Sequence, residues 1–184
     1  MQEEYRENFF TELLKFALIA VLVVVPIRLF VAQPFIVSGA SMSPTFEHGE
    51  YLIVDELSYR LGDPQRFDVV IFRYPRNPKE FFIKRIIGLP HETVRINRGE
   101  ISITTADGEA LEFAEPYILN EGNGNRIEKI LEEREYFVLG DNRPESSDSR
   151  VWGALPRENI VGRAFVRLLP LQHFDFFPGS VPLR

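Results

Sequence analysis

The sequence predicts a mainly β protein, an open β-barrel or sandwich, standing behind a single N-terminal transmembrane helix. Three observations carry this. One apolar block, Phe16 to Ile27 (FALIAVLVVVPI), runs twelve residues without a charge. After Gln33, short runs rich in Val, Ile, Phe and Tyr recur between turn residues, the pattern of many short strands in one β-rich unit. The 184 residues suffice for one domain and a small appendage.

The apolar block alone is short for a span, which needs about 20 mostly apolar residues. Letting Lys15 and Arg28 snorkel extends it to residues 13–32, with Pro26 and Arg28 in the last third. A buried core helix would be apolar along one stripe, and this block is apolar all round. A cleaved leader would suit Ser38-Gly39-Ala40 as the cut site, but Glu3, Glu4, Glu7 and Glu12 crowd its leading region and the block ends well before Ala40. The division expected is a short segment 1–12, an uncleaved anchor 13–32 and a β-rich domain 33–184. Arg6 and Lys15 before the span and Arg28 after it do not orient it.

Strands are expected at Tyr51–Val54, Val69–Tyr74, Phe81–Ile87, Thr93–Ile96, Glu100–Ile103, Tyr136–Leu139 and Val161–Leu168. Gly62-Asp63-Pro64, Arg76-Asn77-Pro78 and Asp107-Gly108 separate them. Asn97-Arg98-Gly99 reads as a three-residue hairpin loop ending in Gly. Asn125–Arg134 (NRIEKILEER) is the later segment with a helical turn or two, and Gly122-Asn123-Gly124-Asn125 is expected to be the mobile loop.

Composition narrows the chemistry. Lys and Arg total 21 against 27 Asp and Glu, a net charge of -6, which argues against nucleic acid as a partner. The absence of cysteine removes disulfides, thiolate metal sites and cysteine nucleophiles. The three histidines, His48, His91 and His173, have no metal-ligand spacing.

Three segments are too polar or too odd to be only strands. Ser41-Met42-Ser43-Pro44-Thr45 is either a Ser/Thr/Pro turn entering the first strand or a site whose small neighbours Gly39 and Ala40 leave Ser41 open to approach. Lys84 and Arg85 interrupt the apolar run Phe81–Leu89. Alternation sends one of them inward, unless both are edge charges that block aggregation. A buried lysine loses its proton more easily and becomes available as a base. The third segment, Gly140 to Gly153 (GDNRPESSDSRVWG), is either a solvated loop or a hydrogen-bonded Asp/Arg network. A serine hydroxyl needs a proton acceptor to attack. With no cysteine and few histidines, a desolvated lysine is the natural partner, and Ser-Lys pairs are a known variant of the triad.

Together, SMSPTF at 41–46, RFDVVIFRYP at 66–75, KRIIGLP at 84–90 and GDNRPESSDSRVWG at 140–153, in that order behind an apolar anchor, resemble bacterial type I signal peptidase (leader peptidase), a membrane-anchored serine protease with a Ser-Lys dyad. The resemblance implies Ser41 as nucleophile and Lys84 as general base. It implies Ser146 as the serine that hydrogen-bonds the lysine, and Arg85, Asp148 and Arg150 as a supporting salt-bridge network. It also implies that Gly140, Asp141 and Asn142 form a backbone turn beside the site. Phe35, Val37, Ile83 and Met42 match positions at shallow apolar pockets that accept small side chains, the Ala-x-Ala rule. Some members carry an oxyanion-donating serine two residues before the nucleophile. Gly39 stands there, which leaves the Ser41 backbone N–H, with Ser38 as helper.

The resemblance also implies acyl transfer without metal or cofactor. Its partners are preproteins bearing signal peptides, the lipid bilayer and the secretion translocon, and no nucleic acid. Its place is the bacterial cytoplasmic membrane, single-pass, with the catalytic domain on the extracytoplasmic side. A soluble self-cleaving Ser-Lys regulator lacks such an anchor, and an inactive membrane-tethered binding paralogue need not retain Ser41 and Lys84. The Phe-rich tail from Pro170 to Arg184 is expected to pack on the β-domain rather than dip into lipid.

Overall fold

The computed structural model describes residues 9–26, 32–119 and 126–181. Helix α1 (Phe9–Pro26) comes first. Its large apolar side chains from Phe9 to Val23 are all half or more exposed, so it is not a core helix. Among the described residues no helix is long and apolar enough to cross a membrane. The 18 residues of α1 extend about 27 Å at 1.5 Å per residue, against a hydrocarbon core of about 30 Å. Residues 27–31 of the expected span lie outside the described residues, and Ala32, its expected last residue, opens the first strand.

Twelve strands follow among the described residues: β1 (Ala32–Ile36), β2 (Tyr51–Asp55), β3 (Val69–Tyr74), β4 (Asn77–Gly88), β5 (Thr93–Asn97), β6 (Glu100–Thr104), β7 (Ala110–Leu111), β8 (Ile127–Ile130), β9 (Glu135–Leu139), β10 (Leu155–Pro156), β11 (Ile160–Leu169) and β12 (Asp175–Phe176). Two single-turn helices, α2 (Ser58–Leu61) and α3 (Ser149–Trp152), follow β2 and β9. The larger sheet runs β1-β2-β11-β3-β4-β9-β10 with β12 on β11, and the smaller runs β7-β6-β5-β8. The larger sheet does not close, since β1 and β10 end its path without meeting. All its pairs are antiparallel.

Side-chain alternation explains the layering. In β3, Val69 and Ile71 enter a core with Val37, Met42, Phe46, Leu52 and Val54, while Val70 and Phe72 enter another with Ile86, Val138, Trp152 and Ile160. A third core joins Ile87, Phe137 and Leu139 to Val94, Ile96 and Ile103 of the smaller sheet. Both faces of the β3–β4 centre are therefore covered. The expectation that only one of Lys84 and Arg85 turns inward is corrected: Lys84 is 4% and Arg85 0% exposed.

Other local expectations also change. The β5–β6 loop is two residues, Arg98 and Gly99, both at positive φ (53° and 96°), the geometry whose twist matches the flanking strands. Asn77 and Pro78 belong to β4, so the preceding turn is Pro75-Arg76. Asn125–Arg134 is not helical where it is described: Ile127–Ile130 is β8, adding a ladder to the edge of β5. A segment too short for a stable helix takes the pairing that its neighbour offers. The loop Gly122-Asn123-Gly124-Asn125 lies outside the described residues. The tail folds back through β12 onto β11, and the Phe165 and Phe177 rings meet edge to face at 5.2 Å.

Gly162 stands where β11 shifts register against β3, and a Cβ there would lie 2.4 Å from the Asp55 carbonyl oxygen. Backbone cannot yield as a flexible side chain does. Gly162→Ala is therefore expected to cost about 2–3 kcal/mol through overpacking, measured as a lowered urea midpoint with unchanged slope.

Candidate active site

The loop between β1 and β2 is fixed at its neck by Val37 N–H to Glu50 O and Gly49 N–H to Val37 O, both 2.9 Å. Within it Met42 and Phe46 are buried in the core, and Phe46 N–H donates to Met42 O at 2.9 Å. Anchoring Met42 holds its neighbour Ser41 at the rim. Gly39, at φ +92°, makes the turn that a side chain would strain.

β4 delivers the second group. Its register pairs Lys84 with Val70, and Lys84 Nζ stands 2.6 Å from Ser41 Oγ. The same nitrogen donates to the Ile83 carbonyl at 2.8 Å and lies 5.5 Å from the centre of the Phe82 ring. Burial lowers the Lys84 pKa to about 8, while Asp148 and Asp141 pull it back up. Desolvation wins because no carboxylate among the described residues forms an ion pair with the ammonium, and Asp148 and Asp141 act only through space. Serine and lysine thus sit within proton-transfer distance, with the lysine easily neutralised.

Arg85 has the opposite solution. A guanidinium does not give up its proton, and Asp141 meets it with two bonds, Nε to Oδ1 at 2.9 Å and Nη2 to Oδ2 at 2.6 Å. Arg85 also donates to the carbonyls of Phe67 and Gly179, and Tyr117 stacks 4.0 Å from its Cζ. Thr45 Oγ1 donates to Asp141 at 2.5 Å, so this aspartate ties β4 to the serine loop. Next to it, Asn142 N–H donates to Ser41 O and Asn142 Nδ2 to Ala40 O, each at 3.0 Å.

The expected Arg85/Asp148/Arg150 network resolves into two separate pairs. Asp148 does not touch Arg85. It caps α3, accepts from Gly140 N–H at 3.1 Å, and takes two bonds of 2.8 Å from Arg150. Asp141, expected only as part of a turn, is the side-chain partner of Arg85. Ser146 does not hydrogen-bond Lys84: among the described residues its buried Oγ has no partner. It packs on Gly140, where a Cβ would meet Ser146 Oγ at 2.3 Å and Ser41 O at 2.4 Å, so only glycine fits. Gly39 N–H is engaged by His48 Nδ1 at 3.2 Å.

A cleft of about 410 Å³ opens from Ser41 and Lys84 between β1 and the first half of β4. Phe35, Val37 and Ile83 line it, with Ser38 and Gly39 on the serine side. Met42 does not, being 1% exposed in the core. Phe81 and Phe82 line it as well; their place just before Ile83 in one strand was the available signal. Among the described residues β1 pairs only with β2, and β4 up to Lys84 pairs only with β3, since β9 joins at Arg85. Both strands present free backbone to the cleft.

Asp141→Asn leaves Arg85 charged, buried and without its counterion. It is expected to cost about 3–5 kcal/mol, read as a lowered thermal midpoint, and the double variant Arg85→Met, Asp141→Leu should recover much of the loss.

Residues 10–169 match the family described as signal peptidase, peptidase S26. The chain is 39% identical over 175 residues to a probable signal peptidase I-2 of Synechocystis sp., covering 92% of this chain and 78% of that protein. It is 37% identical over 170 residues to signal peptidase I of Bacillus caldolyticus, covering 86% and 91%. Against signal peptidase I of Pseudomonas aeruginosa the identity is 33% over 208 residues, covering 88% and 70%. The matched stretch holds the serine loop, the lysine strand and the loop that clamps them, and the chain belongs to the signal peptidase family, peptidase S26.

Proposed function

We propose that this chain is a membrane-bound serine endopeptidase that removes N-terminal signal peptides from secreted preproteins, cutting after small residues, with Ser41 as nucleophile and Lys84 as general base. The observation that carries the dyad is the 2.6 Å approach of a buried lysine nitrogen to a serine oxygen.

Neutral Lys84 takes the Ser41 proton as Oγ attacks the scissile carbonyl. The resulting ammonium gives that proton to the departing amine, which leaves as the new N-terminus. A water deprotonated by the same amine then hydrolyses the ester. The Ser41 N–H is the oxyanion donor, with the exposed Ser38 hydroxyl on the same wall as a second. Gly39 is spoken for by His48 and serves the turn instead. Ser146, its hydroxyl buried and unpartnered, is the reserve donor or acceptor that steadies Lys84 as its charge changes.

Substrate enters extended, adding its backbone to the free edges of β1 and β4. Phe35, Val37 and Ile83 line the cleft beside Ser41 and, in this reading, accept small side chains before the cut. In this reading residues 13–32 anchor the chain, supported by the exposed apolar surface of α1. The catalytic domain then works on the extracytoplasmic side of the bacterial cytoplasmic membrane, beside the translocon.

Below a pKa of about 8 Lys84 holds its proton and cannot act as base. The kcat/KM for a preprotein should therefore rise about tenfold per pH unit toward 8 and level off above it. Ser41→Ala and Lys84→Arg should each lower cleavage by roughly 10³-fold or more with the fold intact, since a guanidinium offers no neutral amine. Alanine at all three histidines should leave cleavage working. A preprotein assay in which Ser41→Ala cuts at the parent rate would sink the reading.

A further inference from the structure

The β3–β4 hairpin stands out electrostatically. Most arginines of the described residues face a carboxylate, including Arg60, Arg66, Arg85, Arg95, Arg143 and Arg150. Arg73, Arg76 and Lys79 form no salt bridge among the described residues, and all three are exposed. Only one acid shares the hairpin, Glu80, and Asn77 Nδ2 donates to it at 2.6 Å. Arg73 lies 4.8 Å over the Phe81 ring, and Arg76 donates to the Val151 carbonyl at 3.3 Å. On a chain of net charge -6, three cations without a carboxylate partner among the described residues, gathered at one hairpin end, are a local reversal of sign.

Strand register shows which way that turn points. Val70 pairs with Arg163, Arg163 with Asp55, and Asp55 with Ala32. Moving along β3 from Val70 toward Tyr74 runs toward Ile160 on β11, toward Asp55 on β2 and toward Ala32 on β1. The hairpin tip therefore leaves the sheet at the same end as Ala32, the residue nearest the N-terminal helix. The Phe-rich tail begins at the opposite end, where Leu169 pairs with Tyr51.

From this we infer that Arg73, Arg76 and Lys79 form a docking surface for the phosphates of anionic lipid headgroups in the membrane that holds the N-terminal helix. The inference rests on the anchoring proposed above, not on the dyad. The half-exposed Phe81 adds an apolar foot beside the cations, and its ring meets Phe35 of the cleft at 5.3 Å. Docking would set the cleft mouth at headgroup level, where an extended segment leaving the bilayer meets β1 and β4 directly. An anionic surface favours each nearby Lys or Arg by roughly fivefold in the docked-to-undocked ratio, and salt screens it.

The chain has no cysteine, so Asn77→Cys gives a single labelling site at the tip. The labelled full chain is reconstituted in vesicles of phosphatidylcholine alone or with phosphatidylglycerol, and quenching by headgroup spin-labelled lipid is read. Stronger quenching with phosphatidylglycerol is expected. It should fall with added salt, persist in R73K/R76K, and be lost in R73Q/R76Q/K79Q. Equal quenching in both vesicles, or quenching unmoved by the triple variant, overturns the inference. So does quenching that needs an added preprotein, because the occupant is then a polypeptide. Failure to stay with the vesicles at all defeats the anchoring reading, whereas lost preprotein cleavage with quenching intact defeats only the protease reading.

Discussion

A lysine taken out of water must be paired or give up its proton, and that constraint organises this molecule. Lys84 is dry because β3 and β4 are packed on both faces, and its nitrogen meets a serine and a carbonyl rather than a carboxylate. Water at that spot would restore the ordinary lysine pKa and, under the proposed mechanism, remove the base. The cores around β3 and β4 are in this sense part of the chemistry, because they control solvation of one atom.

Adjacent residues of one strand show how sharply side-chain type decides the outcome. Arg85 is still more deeply buried than Lys84, yet it keeps its charge and takes Asp141, Tyr117 and two carbonyls around it. The planar fork suits a bidentate carboxylate, whereas the lysine ammonium shifts its pKa readily. Exchanging the two residue types would suit neither place, since the arginine could not deprotonate and the lysine could not match both oxygens of Asp141.

Much of this was legible in the chain. Val69–Tyr74 is a strand with the boundaries its β-branched run suggests, and Lys84 stands out as a cation inside an apolar run, whereas its partnership with Ser41 comes from the resemblance. What could not be read was long-range. Nothing local says that Asp141 faces Arg85 rather than lying in a turn, or that Asp148 prefers Arg150. Ile127–Ile130 carries a helical composition and becomes a strand because β5 has an open edge. Met42 resembles a pocket residue by position, but the turn of its loop sends it into the core.

Asn142 is worth following one step further. Its two bonds to Ala40 and Ser41 join segments about a hundred residues apart, and Thr45 meets Asp141 across a similar distance. The serine is aligned with the lysine only after the last of these segments has been synthesised and docked. A chain that has emerged from the ribosome only through β4 therefore holds Ser41 and Lys84 without the contacts that align them. Under the proposed mechanism, topology itself would then delay activity until the segment carrying Asp141 and Asn142 has docked on the serine loop.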